Sequence, residues 1–289
     1  MKNITTKQFS ILSDHMDVYQ FMLDIFSSTR WRGVPAPFWE YALVSDWMDK
    51  SYLHRCRIWK DGEKIVGFCF HENPVSEIYF SLREGYEELA PEMVEYAEKH
   101  MPRTEGRQKL VLVGDQREFE SAAKAAGFTQ CGGYDSMVYD CSKPLEYRPP
   151  EEYSFTEIGG VDVAKACECC WKGFDHEAEE GPWNGEYEYA FEMVNAPHAT
   201  TKYALAVMNS MGEYVCYAGM WWVKENRLAY LEPLCTVPEY RHKGIAAAVL
   251  SELYRRLRPL GAEYMTGGGN EFYSRIGYER RVPWTFWKK

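Results

Sequence analysis

The stretch PEYRHKGIAAAVL, residues 238–250, decides how the chain folds and what it can bind. Pro238 ends an apolar run, the basic residues Arg241–Lys243 precede Gly244, and an alanine-rich helical segment follows. The first amides of a helix have no acceptor within it, and the helix dipole adds roughly half a positive charge there, so this stretch suits an anion such as a diphosphate. On spacing alone, a solvated basic turn before a surface helix explains it equally well.

Composition limits the class of protein. The chain has 289 residues, 46% hydrophobic and 16% aromatic, which is enough for two globular domains. Its start, MKNITTKQFS, is not a signal peptide, and no run approaches the roughly 18 apolar residues that span a bilayer, so we expect a cytoplasmic protein. A net charge of −10 argues against nucleic acid or an anionic membrane as partner and favours a cationic or neutral substrate.

The nine cysteines are an odd number spread over both halves, which predicts reduced thiols and no disulfide framework. Three of them form the cluster Cys167, Cys169 and Cys170. This C-x-C-C cluster has no companion pair of Cys or His at zinc-finger spacing. We therefore expect buried helix cysteines and no metal.

The chain divides into two halves near the proline-rich segment CSKPLEYRPPEEY, residues 141–153. We place the boundary near Pro150, giving domains 1–150 and 151–289. Each half shows a similar order of helices and strands, typical of a diverged repeat, and the alternation predicts a mixed α/β sheet in each. The final strand VPWTFWKK, residues 282–289, is assigned to the second domain.

A family resemblance rests on an ordered set of motifs in the second half. R-x-x-G-x-A follows a strand ending in V-P and precedes a long helix, and NEFYSRIGY comes about 25 residues after Gly244. This order resembles the acetyl-CoA site of the GNAT N-acyltransferase superfamily over most of residues 151–289. The resemblance implies acetyl-CoA as co-substrate and an α/β (α+β) fold of two tandem GNAT-like domains, each a mixed, mainly antiparallel twisted sheet flanked by helices.

The family pattern also implies which residues bind the coenzyme. The strand before the loop splays from its neighbour, and its backbone pairs with the pantetheine arm. Asn270 matches the family asparagine, but it lies only three residues before Tyr273, closer than in the family pattern, which leaves its contact with the coenzyme open. The pantetheine-pairing residues are Leu234, Cys235 and Thr236, and the pyrophosphate cradle consists of Arg241, His242, Lys243, Gly244, Ile245 and Ala246.

Two residues are candidates for proton transfer. Tyr273, in Y-x-x-x-G-Y, matches the family tyrosine that can protonate the departing CoA thiolate, and a phenol is protonated at neutral pH. The alternative is a core aromatic under the last strand. Glu232 lies between apolar neighbours on the strand leading to the coenzyme and is the best candidate for general base. Alternatively it binds a substrate ammonium or a structural partner, and water is the base.

An acidic segment follows the first helix of the second half. In the family the corresponding segment commonly covers the acceptor site, and its charge suits an amine, although a solvated loop is the simpler interpretation. No Ser-His-Asp or Cys-His triad is indicated. The residues concerned are His176, Glu177, Glu179 and Glu180.

The first half lacks the R-x-x-G-x-G/A motif. Acidic residues occupy the corresponding helix mouth, where they would repel a pyrophosphate and satisfy the positive helix end themselves. We therefore expect a degenerate GNAT-like domain without coenzyme, which shapes the acceptor site or is simply packed around its own tryptophans. The acidic residues are Glu84, Glu87, Glu88 and Glu92, and the tryptophans are Trp31, Trp39, Trp47 and Trp59.

The resulting hypothesis is an N-acetyltransferase that moves acetyl from acetyl-CoA to a primary amine by direct attack in a ternary complex. The acceptor is a small-molecule amine or a peptide amine, and the protein is a monomer or a homodimer. The alternative from another class is a non-catalytic acyl-CoA-binding or regulatory module. A nucleotide site is disfavoured because neither G-x-x-x-x-G-K-S/T nor G-x-G-x-x-G occurs.

Overall fold

The computed structural model describes residues 2–185 and 196–289, which form two compact units. Unit 1 comprises Met1–Ser136 with Arg281–Lys289, and unit 2 comprises Met137–Arg280. This division differs from the boundary expected near Pro150 at both ends. Residues 137–149 fall in unit 2, and the last strand, expected in the second domain, falls in unit 1 because its hydrogen-bonded neighbour is there.

Unit 1 is a sheet with the strand order β1-β2-β3-β4-β5-β12-β6. β4 and β5 are parallel, whereas β12 pairs antiparallel with β5 and completes the sheet. The strands are β1 (Ile4–Gln8), β2 (Arg57–Asp61), β3 (Lys64–His71), β4 (Glu77–Leu82), β5 (Lys109–Val113), the first part of β6 (Thr129–Asp140) and β12 (Arg280–Lys288). The helices are α1 (Ile11–Ile25), α2 (Ala36–Val44), α3 (Ala90–His100) and α4 (Arg117–Ala125).

Unit 2 repeats this plan with the order β7-β8-β9-β10-β11-β6, to which β6 contributes residues 137–140. Here β10 and β11 are the parallel pair, and the other registered pairs are antiparallel. The strands are β7 (Ser154–Phe155), β8 (Leu205–Met208), β9 (Tyr214–Val223), β10 (Leu228–Thr236) and β11 (Tyr264–Gly267). The described helices are α5 (Val163–Gly173), α6 (His176–Glu180), α7 (Ile245–Leu257) and α8 (Glu271–Arg275).

Local sequence explains where several elements begin and end. Gly62 has φ +59° and lies in the turn between β2 and β3, and Gly127, with φ +85°, follows the end of α4. α5 begins after Asp162, whose carboxylate accepts the amide of Lys165 at 3.1 Å. The acidic segment at 176–180, expected to be a loop, is the short helix α6. The fold is therefore mixed α/β with mostly antiparallel strands.

The core of unit 2 lies on both faces of its sheet. α7 covers one face with buried side chains from Ile245 to Leu257. α5 covers the other face, where Ala166 and Cys169 pack against Cys235 and Val237. The two helices thus hold β10 from opposite sides. None of the described helices combines the length and apolarity that a bilayer crossing requires.

Candidate functional site

The parallel strands β10 and β11 separate after two residue pairs. Leu228 pairs with Tyr264 and Ala229 with Met265, whereas β10 continues to Thr236. At the point of separation, the amide of Leu231 donates to the hydroxyl of Thr266 at 2.7 Å instead of to a strand carbonyl. Since β9 occupies the other edge of β10, the edge beyond Leu231 faces the gap between the strands. This is the splay that the family resemblance predicts.

A β-bulge lies beside this gap and carries Glu232. The register between β10 and β9 shifts between Leu231 and Leu234, and the Glu232–Pro233 peptide is cis. Gly219 of β9 faces the bulge so closely that a Cβ there would lie 2.1 Å from the Glu232 carbonyl oxygen. A bulge re-aims the residues it contains, and this one requires a glycine opposite. Glu232 is half-buried at this position.

Tyr273 reaches the same region from α8. Its ring is buried and lies on the backbone of Gly267, where a Cβ would come within 2.5 Å of it, and of Gly268. Burial raises the pKa of Tyr273 to about 12; the amide of Gly268 opposes this rise and the carboxylate of Glu232 adds to it. The phenol is therefore protonated at neutral pH and is electrostatically coupled to Glu232. Glu232 is thus close enough to act on the phenol electrostatically, and the catalytic roles of both residues stay predictions.

The N-terminus of α7 is open toward solvent. Its N-cap is Gly244, with φ +78° and no side-chain cap, and the first helical hydrogen bond runs from Ala248 to the Gly244 carbonyl at 3.0 Å. The amides before Ala248 thus have no acceptor within the helix. A Cβ on Gly244 would meet nothing within 4 Å, so the backbone conformation, not crowding, calls for glycine there. Ile245 points into the core and offers only its amide.

The side chain of Arg241 is not an unpaired charge at the N-terminus of α7. Its guanidinium donates to the carbonyls of Thr236 at 3.1 Å and Gly173 at 3.0 Å, and it pairs with Asp175 at 3.0 Å. The positive charge of Arg241 is therefore balanced by Asp175. Arg241 ties the loop to the end of α5 instead. Of the other two basic residues, His242 is exposed with φ +63°, and Lys243 lies over the ring of Tyr240 at 5.0 Å.

The three residues expected to pair with pantetheine send their side chains to the two faces of the sheet. Cys235 points toward α5, with its Sγ 3.9 Å from that of Cys169 and 3.7 Å from that of Cys170. Thr236 donates from its hydroxyl to the sulfur of Cys216 at 3.4 Å. Leu234 pairs in register with Ala218. Only the backbone edge of this segment is available to the gap.

Asn270 precedes α8 and is exposed, and its side chain makes no capping hydrogen bond. Its carbonyl accepts the amide of Tyr273 at 3.3 Å. The described contacts of Asn270 are thus those of a helix start, and a coenzyme contact stays a prediction.

The sequence shows no further cysteine pair at zinc-finger spacing from the C-x-C-C cluster, but the structure brings Cys235 beside it. Cys235 meets Cys169 and Cys170 in space although it lies more than 60 residues away along the chain. Within residues 2–185 and 196–289, however, no group of three or more His, Cys, Asp or Glu side chains has a metal-binding arrangement. The cluster is one of packed thiols.

The acidic segment expected near the acceptor forms its own local contacts. In α6, the Nδ1 of His176 lies 2.9 Å from the carboxylate of Glu180, and the His176 ring stacks on Trp171 at 5.1 Å. Glu177 and Glu179 are exposed, and Glu177 lines an open cavity of about 440 Å³ beside α5. An acceptor role for these residues stays a prediction.

Unit 1 has the corresponding pair of strands, and its own chain fills the gap between them. β4 and β5 pair as far as Tyr79 and Val111. Beyond that point, the Val113 carbonyl accepts the amide of Gly33 at 3.0 Å. The side chain of Gln116 then bridges the two strands, because its amide nitrogen donates to the Phe80 carbonyl and its oxygen accepts the Val113 amide, both at 2.9 Å.

In unit 1, an arginine also binds an acidic residue that precedes the corresponding helix. Arg32 binds Glu87 at 2.9 Å and Glu118 at 2.8 Å. Burial disfavours the ionised form of Glu87, but hydrogen bonds from its own amide and from Arg32 outweigh burial and lower its pKa. Two further acidic residues at the N-terminus of this helix are also engaged, Glu88 with Lys2 and Glu92 with the indole of Trp59.

The tryptophans of unit 1 mostly serve its core. Trp31, Trp39 and Trp59 are buried, and only Trp47 of the four is substantially exposed, at 41%. Core packing accounts for the three buried rings.

Comparison with known proteins supports this interpretation of the fold. Residues 148–278 match the model of the acetyltransferase (GNAT) family. No curated protein matches the sequence. A GCN5-related N-acetyltransferase from Sphaerobacter thermophilus is similar in structure, with 13% identity, coverage of 99% of this chain and 95% of that chain, and a TM-score of 0.62.

Two further solved structures are similar along the whole chain. A tandem GNAT protein from the clavulanic acid biosynthesis pathway has 13% identity, coverage of 99% of this chain and 98% of that chain, and a TM-score of 0.64. A GNAT-family acetyltransferase from Colwellia psychrerythraea has 12% identity, coverage of 99% of both chains, and a TM-score of 0.62. At these identities the likeness concerns the fold, which is that of tandem GNAT proteins.

The fold and the family match together define an acyltransferase. Residues 148–278, in the C-terminal half of the chain, are a GNAT-family acetyltransferase domain. The expectation of a GNAT-family N-acetyltransferase with a tandem arrangement is confirmed.

Proposed function

We propose that unit 2 transfers an acetyl group from acetyl-CoA to a primary amine by direct attack in a ternary complex. The observation that carries the proposal is the gap between β10 and β11, which has Glu232 and Tyr273 beside it and the open N-terminus of α7 after β10. Membership of the GNAT family implies an acyl-CoA co-substrate.

Backbone groups would supply most of the coenzyme binding. The amides from His242 to Ala246 face a helix mouth with no side-chain cap, which suits a pyrophosphate. The edge of β10 from Leu234 to Thr236, apart from the Thr236 carbonyl that Arg241 already occupies, suits the amides of a pantetheine arm. Arg241 would act by holding the loop against α5, since Asp175 and two carbonyls already occupy its guanidinium.

Catalysis would need one acid and one base near the thioester. Tyr273 would give its proton to the departing thiolate, which its raised pKa permits because the phenol stays protonated. Glu232 would accept a proton from the amine, directly or through water. A strand amide at the β10 bulge would stabilise the developing oxyanion.

The acceptor is proposed only as a class, a small-molecule amine or a peptide amine. The net charge of −10 favours a cationic partner. Unit 1 would bind no coenzyme, because Gln116 and the segment 31–33 fill its gap and Arg32 closes its helix mouth. We therefore expect one acetyl-CoA per chain.

Calorimetric titration with acetyl-CoA and a thiol-release assay with a panel of amines test the proposal. We expect one binding site per chain and release of CoA with at least one amine. Tyr273→Phe should lower turnover far more than affinity, and Tyr278→Phe is the matched control because its ring packs on Tyr273 at 5.1 Å. Absence of acetyl-CoA binding would refute the proposal, and binding without turnover on any amine would favour the non-catalytic module.

A further inference from the structure

Three thiols from two elements meet on the α5 face of the β10 strand. The Sγ of Cys235 lies 3.7 Å from that of Cys170 and 3.9 Å from that of Cys169. Cys235 and Cys169 are buried, whereas Cys170 is only half-buried. Cys170 is therefore the neighbour of Cys235 that is both closer and more accessible.

A glycine at the end of α5 brings the two elements this close together. A Cβ at Gly173 would lie 2.8 Å from the Cβ of Cys235 and 3.0 Å from its Sγ. The helix thus approaches β10 with no side chain between them. A disulfide needs Cβ atoms about 3.8 Å apart and an S–S bond of about 2.05 Å, so only a small movement separates these thiols from bonding.

The surroundings favour a reactive sulfur at Cys235. Its hydrogen bonding with Cys169, and then with Cys170, lowers its pKa well below the ordinary thiol range, with burial opposing this and the nearby charge of Arg241 assisting it. The cluster reaches solvent at Cys170, which is partly exposed, and the neighbouring Cys169 lines the open cavity of about 440 Å³ beside α5.

We propose that Cys170 and Cys235 form an oxidation site for hydrogen peroxide. The sulfur of Cys235 attacks one peroxide oxygen, the O–O bond breaks, and a sulfenic acid and one water result. The thiol of Cys170 then displaces the sulfenic hydroxyl as a second water and forms the Cys170–Cys235 disulfide. Both sulfurs are oxidised, both peroxide oxygens are reduced to water, and thiol reductants reverse the reaction.

The disulfide would displace the edge of β10 that is proposed to bind the coenzyme, and this consequence rests on the proposed function. Cys235 lies between Leu234 and Thr236, whose backbone is proposed to bind pantetheine. Closing the S–S distance from 3.7 Å to about 2 Å draws this part of β10 toward α5. We expect oxidation to weaken acetyl-CoA binding at least tenfold.

The test uses the full chain with Cys131→Ser, which removes the one exposed cysteine of the described residues. After hydrogen peroxide treatment, we expect the mass to fall by two hydrogens, a Cys170–Cys235 linked peptide, and recovery of both thiols with dithiothreitol. Cys170→Ala should abolish the linkage. The matched control is Cys216→Ala, because Cys216 is a buried thiol that contacts Thr236 and should leave the linkage intact.

Three results would overturn the inference. They are the absence of a linked peptide at peroxide concentrations that oxidise Cys131 in the unsubstituted chain, a linkage through Cys169 instead of Cys170, and unchanged acetyl-CoA affinity after the disulfide has formed. If Cys170→Ala fails to fold, the presence or absence of the Cys170–Cys235 linked peptide in the protein that retains Cys170 still tests the inference. If the disulfide forms but the reduced protein binds no acetyl-CoA, the proposed function fails and the oxidation site stands.

Discussion

Replacing Gly219 with alanine tests whether the bulge in β10 is held by close contact with β9. The new Cβ would lie 2.1 Å from the carbonyl oxygen of Glu232 and 2.8 Å from the Cδ of Pro233. To reach an ordinary contact, the strand backbone must retreat by about 1 Å. Overpacking typically costs about 1–3 kcal/mol, and we expect the upper end because the obstacle is backbone and not a flexible side chain.

The stability loss should appear in thermal unfolding followed by circular dichroism. A loss of about 3 kcal/mol lowers Tm by roughly 6–12 °C in a domain of this size class. Turnover in the thiol-release assay should fall by about 100-fold, since a displacement of about 1 Å moves Glu232 out of position.

The matched control is Gly132→Ala. Gly132 also lies in a strand without positive φ, and its Cβ would meet only the Phe286 ring, at an ordinary 3.6 Å. We expect a small change in Tm and none in turnover for this control. A Gly219→Ala protein with the Tm and turnover of the Gly132→Ala protein would refute the reasoning about the bulge.

Four further substitutions probe other parts of the molecule. Gly244→Glu should abolish acetyl-CoA binding in calorimetry, because the new side chain fills the N-terminus of α7 and adds a negative charge there. The positive φ at this position should also cost about 1–2 kcal/mol of stability, because it disfavours a residue with a Cβ. Tyr273→Phe should lower turnover by about 100-fold, by the same factor at about pH 7 and about pH 9, because a pKa of about 12 keeps the phenol protonated throughout. Burial raises the pKa of Glu72 to about 7, because the folded protein favours the neutral carboxyl over the charged one. The stability that this preference contributes is fully present below about pH 4 and is lost as pH rises through 7. Glu72→Gln should therefore raise Tm at about pH 8 and leave it unchanged at about pH 4. Arg32→Met leaves Glu118 without its cation, and we expect about 2 kcal/mol less stability in urea unfolding, below the cost for a fully buried pair because Glu87 is 42% exposed.

The strands that could be predicted are those whose alternation or apolar runs are strong. The hairpin of β2 and β3 and the three strands β8, β9 and β10 have such sequences, because each is a β-branched or aromatic run bounded by turn residues. β1 was not predicted because its sequence, ITTKQ, is polar and its strand conformation depends on pairing with β2. Propensity is a weak guide where a neighbouring strand supplies the hydrogen bonds.

Strand partners were harder to predict than strands. The last strand was assigned to the second domain, but β12 pairs with β5 over residues 109–113. Periodicity records which face of a strand is buried, and it contains nothing about which distant strand lies alongside.

The location of the site could be predicted from motifs, while its detailed contacts could not. Gly244 and Tyr273 come from ordered spacings near the end of the chain. The pairing of Arg241 with Asp175 joins residues 66 positions apart, and no local pattern indicates it. The run of three glycines after Thr266, by contrast, was an overlooked signal of the close approach of the Tyr273 ring.

The place of β12 in unit 1 has a consequence for how the protein is made. Domains generally fold as units during synthesis, the N-terminal one first. Here the sheet of unit 1 lacks a strand between β5 and β6 until residues 281–289 have been translated. Throughout synthesis of unit 2, the edge of β5 therefore lacks its β12 partner, and unit 1, unlike the continuous unit 2, is built from two separate segments of the sequence.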